Sequence, residues 1–180
     1  MGYAGDLAAL ARKLGKGGVR YGLAGGAALA AHGIARSTVD LDLLVEKEDL
    51  ARADKVFLAL GWKRIYRSAN VSHYRGGRAG RVPLDVIHAF RTESRRMLRV
   101  AVRKRVPGGA SVRVLRPEDL IGLKVQAMVN DPERRWVDSL DIETLADKGK
   151  RLDWRRVVEY YRIFGREAEG KALRKRHRRT

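Results

Sequence analysis

The sequence predicts an α+β fold: a short mixed β-sheet flanked by helices, followed by a C-terminal helical region. Three observations predict it. Short apolar runs at 19–24, 41–45 and 83–87 read as strands with at least one buried face. Between the second and third runs, Leu50, Ala53, Val56, Phe57 and Leu60 recur at helical spacing. From Val112 onward the pattern changes from mixed strands to helices. That places a boundary near 115, between a 1–115 catalytic α/β core and a 116–180 helical region that packs on it.

In chain order, Asp6 to Leu14 reads as a short amphipathic helix with Asp6 as N-cap, ended by Gly15 to Gly18. Val19 to Ala24 is the first strand. Gly25-Gly26 follows where that strand turns into a helix over Ala27 to His32, stopped by Gly33. Exposed amides at such a turn, with no side chain in the way, suit a phosphate; a tight turn alone asks for the same residues. Arg36-Ser37-Thr38 leads into a second strand that holds Asp40-Leu41-Asp42 and continues through Leu43-Leu44-Val45. Lys47 to Leu60 is helical and Gly61 ends it.

Trp62 to Tyr66 and Val71 to Arg75 read as neighbouring strands, followed by a turn over Gly76 to Gly80 and a strand over Pro83 to Ile87. A short strand, Val112 to Leu115, reaches Arg116-Pro117-Glu118-Asp119, where proline and first-turn acids start a helix through Val129. Lys124 falls on its buried side and needs an anionic partner or access to water. A further helix begins near Pro132 and carries Asp138 and Asp141 on one face, as partners for Arg134 or Arg135. Asp153 caps a helix through Phe164 with Val157, Val158, Tyr161 and Phe164 inward, and the last helix starts at Arg166 and runs to about Leu173.

The acids in the strands carry the chemistry. Side chains alternate along a strand, so Asp40 and Asp42 share one face, about 7 Å apart. Two carboxylates in a partly dry cleft repel each other unless a cation compensates, and magnesium suits carboxylate oxygens and substrate phosphates together. Solvated edge charges are the alternative. Val39, Leu41 and Leu43 alternate with the acids, which describes a strand with a buried face rather than an edge. Asp85 is the one acid among Leu84, Val86 and Ile87; it is either part of the same site or a partner for Arg81 or His88.

Lys and Arg total 39 against 21 Asp and Glu, a formal net charge of +18 in 180 residues. Such an excess concentrates polyanions around the molecule and makes nucleic acid the expected partner. Its densest cluster is Arg174-Lys175-Arg176-His177-Arg178-Arg179. There is no cysteine, which excludes disulfides and thiolate metal sites. No apolar run is long enough to span a bilayer and no signal-peptide pattern opens the chain, so the expectation is a cytoplasmic protein without a membrane partner.

The ordered set Gly25-Gly26, Leu29, Arg36, Thr38, Asp40-Leu41-Asp42-Leu43, Asp85, then Glu118-Asp119-Leu120 leading to Lys124, resembles the polymerase-beta-like nucleotidyltransferases. Within them it is most similar to the minimal bacterial enzymes that include the AbiEii-type toxins of toxin-antitoxin systems. The resemblance implies the nucleotidyltransferase fold and a nucleoside triphosphate (NTP) as substrate. It also implies two magnesium ions, or manganese in their place, about 4 Å apart on Asp40, Asp42 and Asp85, with Asp85 activating the attacking hydroxyl. Gly25, Gly26 and the Ser37 or Thr38 hydroxyl would steady the phosphates, with Arg36 and Lys124 neutralising charge. Asp138 and Asp141 attach to the pattern only as a secondary acidic pair, and Ala27 stands where many relatives carry serine.

Three functions follow as expectations. The first is transfer of a nucleotide to an RNA hydroxyl, above all the 3′ end of tRNA, with an antitoxin as a further partner. The second keeps the chemistry and moves it to a protein or an aminoglycoside-like acceptor. The third is a non-catalytic nucleic-acid-binding module.

Overall fold

The computed structural model describes residues 2–77, 81–106, 109–148 and 152–177. They fall into two compact units, Met1–Leu115 and Arg116–Thr180.

In the first unit seven strands form one mixed sheet: β1 (Tyr21–Ala24), β2 (Leu41–Glu46), β3 (Trp62–Arg67), β4 (Val71–Gly76), β5 (Leu84–Ala89), β6 (Val102–Arg105) and β7 (Ser111–Val114). Their order across the sheet is β3-β4-β5-β2-β1-β7-β6. The pairs β2–β5 and β1–β7 are parallel and the other neighbours antiparallel. The central strands read as unbroken apolar runs because both of their faces are covered: Leu23, Leu41, Leu43, Leu44, Val45 and Leu84 are fully buried. Four helices complete the unit, α1 (Tyr3–Lys16), α2 (Gly25–Ala31), α3 (Leu50–Ala59) and α4 (Thr92–Val100). The mixed sheet flanked by helices is the α+β architecture that the sequence predicts.

Three local expectations are corrected. Asp6 does not cap α1, which starts at Tyr3 behind Gly2; its carboxylate is fully buried, bonded to the Arg81 guanidinium and accepting from Val82 N at 3.2 Å. A buried carboxylate gains more from a guanidinium and an amide than from its own helix end. Val39 is 78% exposed, because β2 begins only at Leu41: Asp40 lies in the bend before the strand rather than on it, and Asp42 is the strand's one half-buried position. The segment 91–105 forms α4 and the edge strand β6, neither of which the pattern announced. The turn expected over Gly76 to Gly80 lies partly outside the described residues, at Arg78, Ala79 and Gly80.

The second unit is helical: α5 (Pro117–Asn130), α6 (Arg135–Lys148), α7 (Trp154–Ile163) and α8 (Glu167–His177). Pro117 occupies the first turn of α5, and Asp153 caps α7 by accepting from Arg155 N and Arg156 N at 3.1 and 3.3 Å. The inward face of α7 is Arg156, Val157, Tyr160 and Tyr161, whereas Val158 and Phe164 are only half-buried. Arg156 is buried because Asp119 meets it at 2.6 Å and Tyr160 donates to the same carboxylate oxygen at 2.6 Å. Burial pushes the Asp119 carboxyl up against the pull of Tyr160 and Arg156. Gly122 lets α5 and α7 approach: a Cβ there would meet the Tyr160 ring at 2.7 Å. The basic cluster forms the last turn of α8, with Arg178 and Arg179 outside the described residues.

Candidate active site

Asp40, Asp42 and Asp85 converge. One carboxylate oxygen from each lies within 4.8 Å of those of the other two, and all three residues are half-buried. It is the one group of three or more ligand-type side chains so placed among the described residues. The convergence is a product of register: Asp42 on β2 stands directly opposite Asp85 on the parallel strand β5, and Asp40 lies in the bend that leads into β2. Three like charges this close favour a bound cation, and an all-carboxylate donor set fits a hard divalent ion such as magnesium or manganese.

The elements around the acids are shaped by them. Gly25 opens α2 at φ +56°, and a Cβ there would fall 1.8 Å from Asp42 Oδ2. Gly26 is held to glycine by Thr38, whose Cβ would lie 2.7 Å from an added Cβ. Both glycines therefore make room for the acid-bearing strand and its approach loop, whatever else their amides meet. The Thr38 hydroxyl donates to Asp40 Oδ1 at 2.7 Å and is shared with Asp40 O at 3.2 Å, so it orients a carboxylate. Arg36 and Ser37, in the same loop, are exposed.

Two residues near the acids carried no signal in the sequence. His73 on β4 places Nδ1 2.7 Å from Asp85 Oδ1, which fixes that nitrogen as the donor and leaves both named alternatives for Asp85 unused. Arg81 instead pairs with Asp6, and His88 with Ser72 at 2.9 Å. Tyr3 on α1 is the second: burial pushes its phenol up to about 12, the charges of Asp42 and Asp40 add to the rise, and its buried hydroxyl has no hydrogen-bond partner. No local pattern marks either residue, because both reach the acids through long-range packing.

Lys124, Asp138 and Asp141 meet one another inside the helical unit. The Lys124 ammonium lies 2.8 Å from Asp138 Oδ1 and 2.7 Å from Asp141 Oδ2, and Arg134 approaches Asp138 at 3.5 Å. The half-buried lysine thus has the anionic partners that its position demands.

The profile of the family described as "Uncharacterised nucleotidyltransferase" matches residues 1–168. Among curated proteins none matches the sequence. Among solved structures, the antibiotic-resistance factor ANT(2'')-Ia superposes with a TM-score of 0.65 at 17% identity, over 98% of this chain and 97% of that one. An antigenic nucleotidyltransferase-like protein from Paracoccidioides brasiliensis gives a TM-score of 0.57 at 16% identity, over 96% and 92%. The lincomycin-bound lincosamide antibiotic adenylyltransferase LnuA gives 0.53 at 12% identity, over 78% and 94%. At these identities the likeness is one of fold.

Proposed function

The chain belongs to the family of uncharacterised nucleotidyltransferases, and on that premise we propose that it moves a nucleoside monophosphate from an NTP to a hydroxyl at an RNA 3′ end. The chain is an enzyme of nucleotidyl transfer; its acceptor and the roles of its residues are the proposal. The observation that carries it is the convergence of Asp40, Asp42 and Asp85. Those three would hold two magnesium ions, or manganese, which when bound stabilise negative charge on the phosphates.

The chain's own residues do the rest. Asp85, oriented by His73, takes the proton of the acceptor hydroxyl. The freed oxygen forms a bond to the α-phosphorus, the bond from that phosphorus to the bridging oxygen breaks, and pyrophosphate leaves with the electron pair. Thr38 keeps Asp40 turned toward the other acids. Gly25 and Gly26 let Asp42 and Thr38 close on the start of α2, and their backbone amides would meet the phosphates beside exposed Ser37 and Arg36. Lys124, already neutralised by Asp138 and Asp141, is assigned to the stability of the helical unit rather than to the triphosphate.

The net charge of +18 supports RNA as acceptor, because it attracts a polyanion and repels a cationic drug. A small-molecule acceptor is the second reading. This fold serves one in ANT(2'')-Ia, which has been solved in complex with adenylyl-2''-tobramycin. Incubation of each α-labelled NTP with magnesium and with total RNA, cell protein or tobramycin separates them. The proposal expects label in RNA, abolished by chelation; label in tobramycin alone would replace it. A toxin role of the AbiEii kind adds that expression of the parent, and not of Asp42→Asn, arrests growth unless a neighbouring antitoxin is present.

A further inference from the structure

The acids have two flanks. On one side of β2 lies β1, which leads into Gly25 and Gly26 at the proposed phosphate site. On the other side β5, β4 and β3 run out to the edge of the sheet. One line of register crosses these strands: Asp42 opposite Asp85, Asp85 opposite His73, and His73 opposite Tyr66. Residues opposite one another in paired strands share a face, so Tyr66 and His73 stand on the acids' face of the sheet.

The edge strand is bent to achieve this. The β3–β4 register shifts between Arg64 and Tyr66, which leaves Ile65 as the extra residue and sets Tyr66 on His73. The two rings stack, with centroids 5.3 Å apart and planes 29° from parallel. Tyr66 is nonetheless 52% exposed and His73 keeps 40% of its side chain in solvent. Next along the same face stand Lys63 and Arg75, opposite each other and both exposed. An aromatic pair open to solvent, flanked by two cations and joined through His73 to Asp85, has the composition of a single-strand nucleic-acid platform. Bases stack on the rings and phosphates meet the cations.

We infer that Tyr66 and His73, with Lys63 and Arg75, bind the single-stranded 3′ end of the acceptor RNA and deliver its terminal hydroxyl to Asp85. The inference rests on the nucleotidyl-transfer reading above and adds the side from which the acceptor enters: across β5 to β3, opposite the glycine turn that receives the triphosphate. His73 has two tasks in this arrangement, to orient Asp85 through Nδ1 and to carry Tyr66 on its ring face.

The test is the anisotropy of a fluorescent single-stranded RNA of about eight nucleotides, titrated with parent, Tyr66→Ala, Tyr66→Phe and the Lys63→Ala/Arg75→Ala pair, without NTP. The expected result is Kd raised about tenfold by Tyr66→Ala and kept by Tyr66→Phe, since the ring and not the hydroxyl stacks. The double variant should bind more weakly, with a salt dependence about one to two powers less steep. In transfer assays Tyr66→Ala should raise KM for RNA and leave KM for NTP unchanged. Asp42→Asn should bind this RNA as the parent does, so that a failure of the chemistry is read separately from a failure of the platform. RNA affinity unaltered by Tyr66→Ala overturns the inference, as does binding lost equally for heparin and RNA only when the two cations are removed.

Discussion

At Gly25 the site accepts nothing larger than hydrogen. A methyl group there would stand 1.8 Å from Asp42 Oδ2, on a backbone at φ +56° that L residues occupy at a cost of about 1–2 kcal/mol. Gly25→Ala should therefore displace Asp42 and lower the transfer rate at least about 100-fold, as misplacement by an ångström does, while the fold persists by circular dichroism. A rate within a factor of a few of the parent would show that Asp42 is not held where the proposed chemistry needs it. At this scale the sequence was informative for the acids, because charges that interrupt apolar strands declare themselves one by one. It was silent on His73, which sits in a strand of mixed character and acquires its meaning only from standing opposite Asp85. The same holds for Tyr3, which lies 37 residues before Asp40 and reaches the acids through the packing of α1. Thr38 stands in the loop that leads to the acids, and its hydroxyl bonds Asp40.

Among the elements, those with several buried apolar side chains were legible: β1, β2, β5, α5 and α7 follow from their runs, caps and first-turn proline. The α4–β6 segment was not, since only Met97 and Leu98 of α4 are buried and β6 is an edge strand of Val102, Arg103, Lys104 and Arg105. Too little apolar surface enters the core there to stamp a period on the sequence. The junction before α3 shows a different kind of information, electrostatic and long-range. Asp49 is fully buried and accepts from the backbone N–H and guanidinium of Arg20, at 2.8 and 3.0 Å, and from Arg52. Burial alone would push its carboxyl up; the Arg20 and Arg52 hydrogen bonds outweigh that and bring it down to about 2. A carboxyl that binds protons less tightly folded than unfolded contributes stability in full above about pH 4, and loses it as pH falls toward 2. Asp49→Asn should accordingly cost about 2 kcal/mol at pH 7 and flatten the acid side of the stability curve between those values, as denaturant unfolding at a series of pH values would show. Parallel curves for parent and variant would contradict the assignment.

For the whole molecule, family membership establishes nucleotidyl transfer, and the +18 charge points the proposed acceptor toward RNA. The mixed sheet followed by helices was legible in the change of pattern near 115, whereas the strand order was not. The order β3-β4-β5-β2-β1-β7-β6 depends on which edges find partners, and it is this order that sets Asp85 beside Asp42 with an aromatic row on one flank and the glycine turn on the other. No helix among the described residues is long and apolar enough to cross a membrane. The most direct measurement is the rate of label transfer from α-labelled NTP to RNA by Asp42→Asn and Asp85→Asn beside the parent, in saturating magnesium. Removal of a group that acts directly on the reacting phosphate should lower that rate by about 1,000-fold or more in each variant, with the RNA affinity of Asp42→Asn unchanged. Transfer at the parent's rate by either variant would contradict the proposed mechanism.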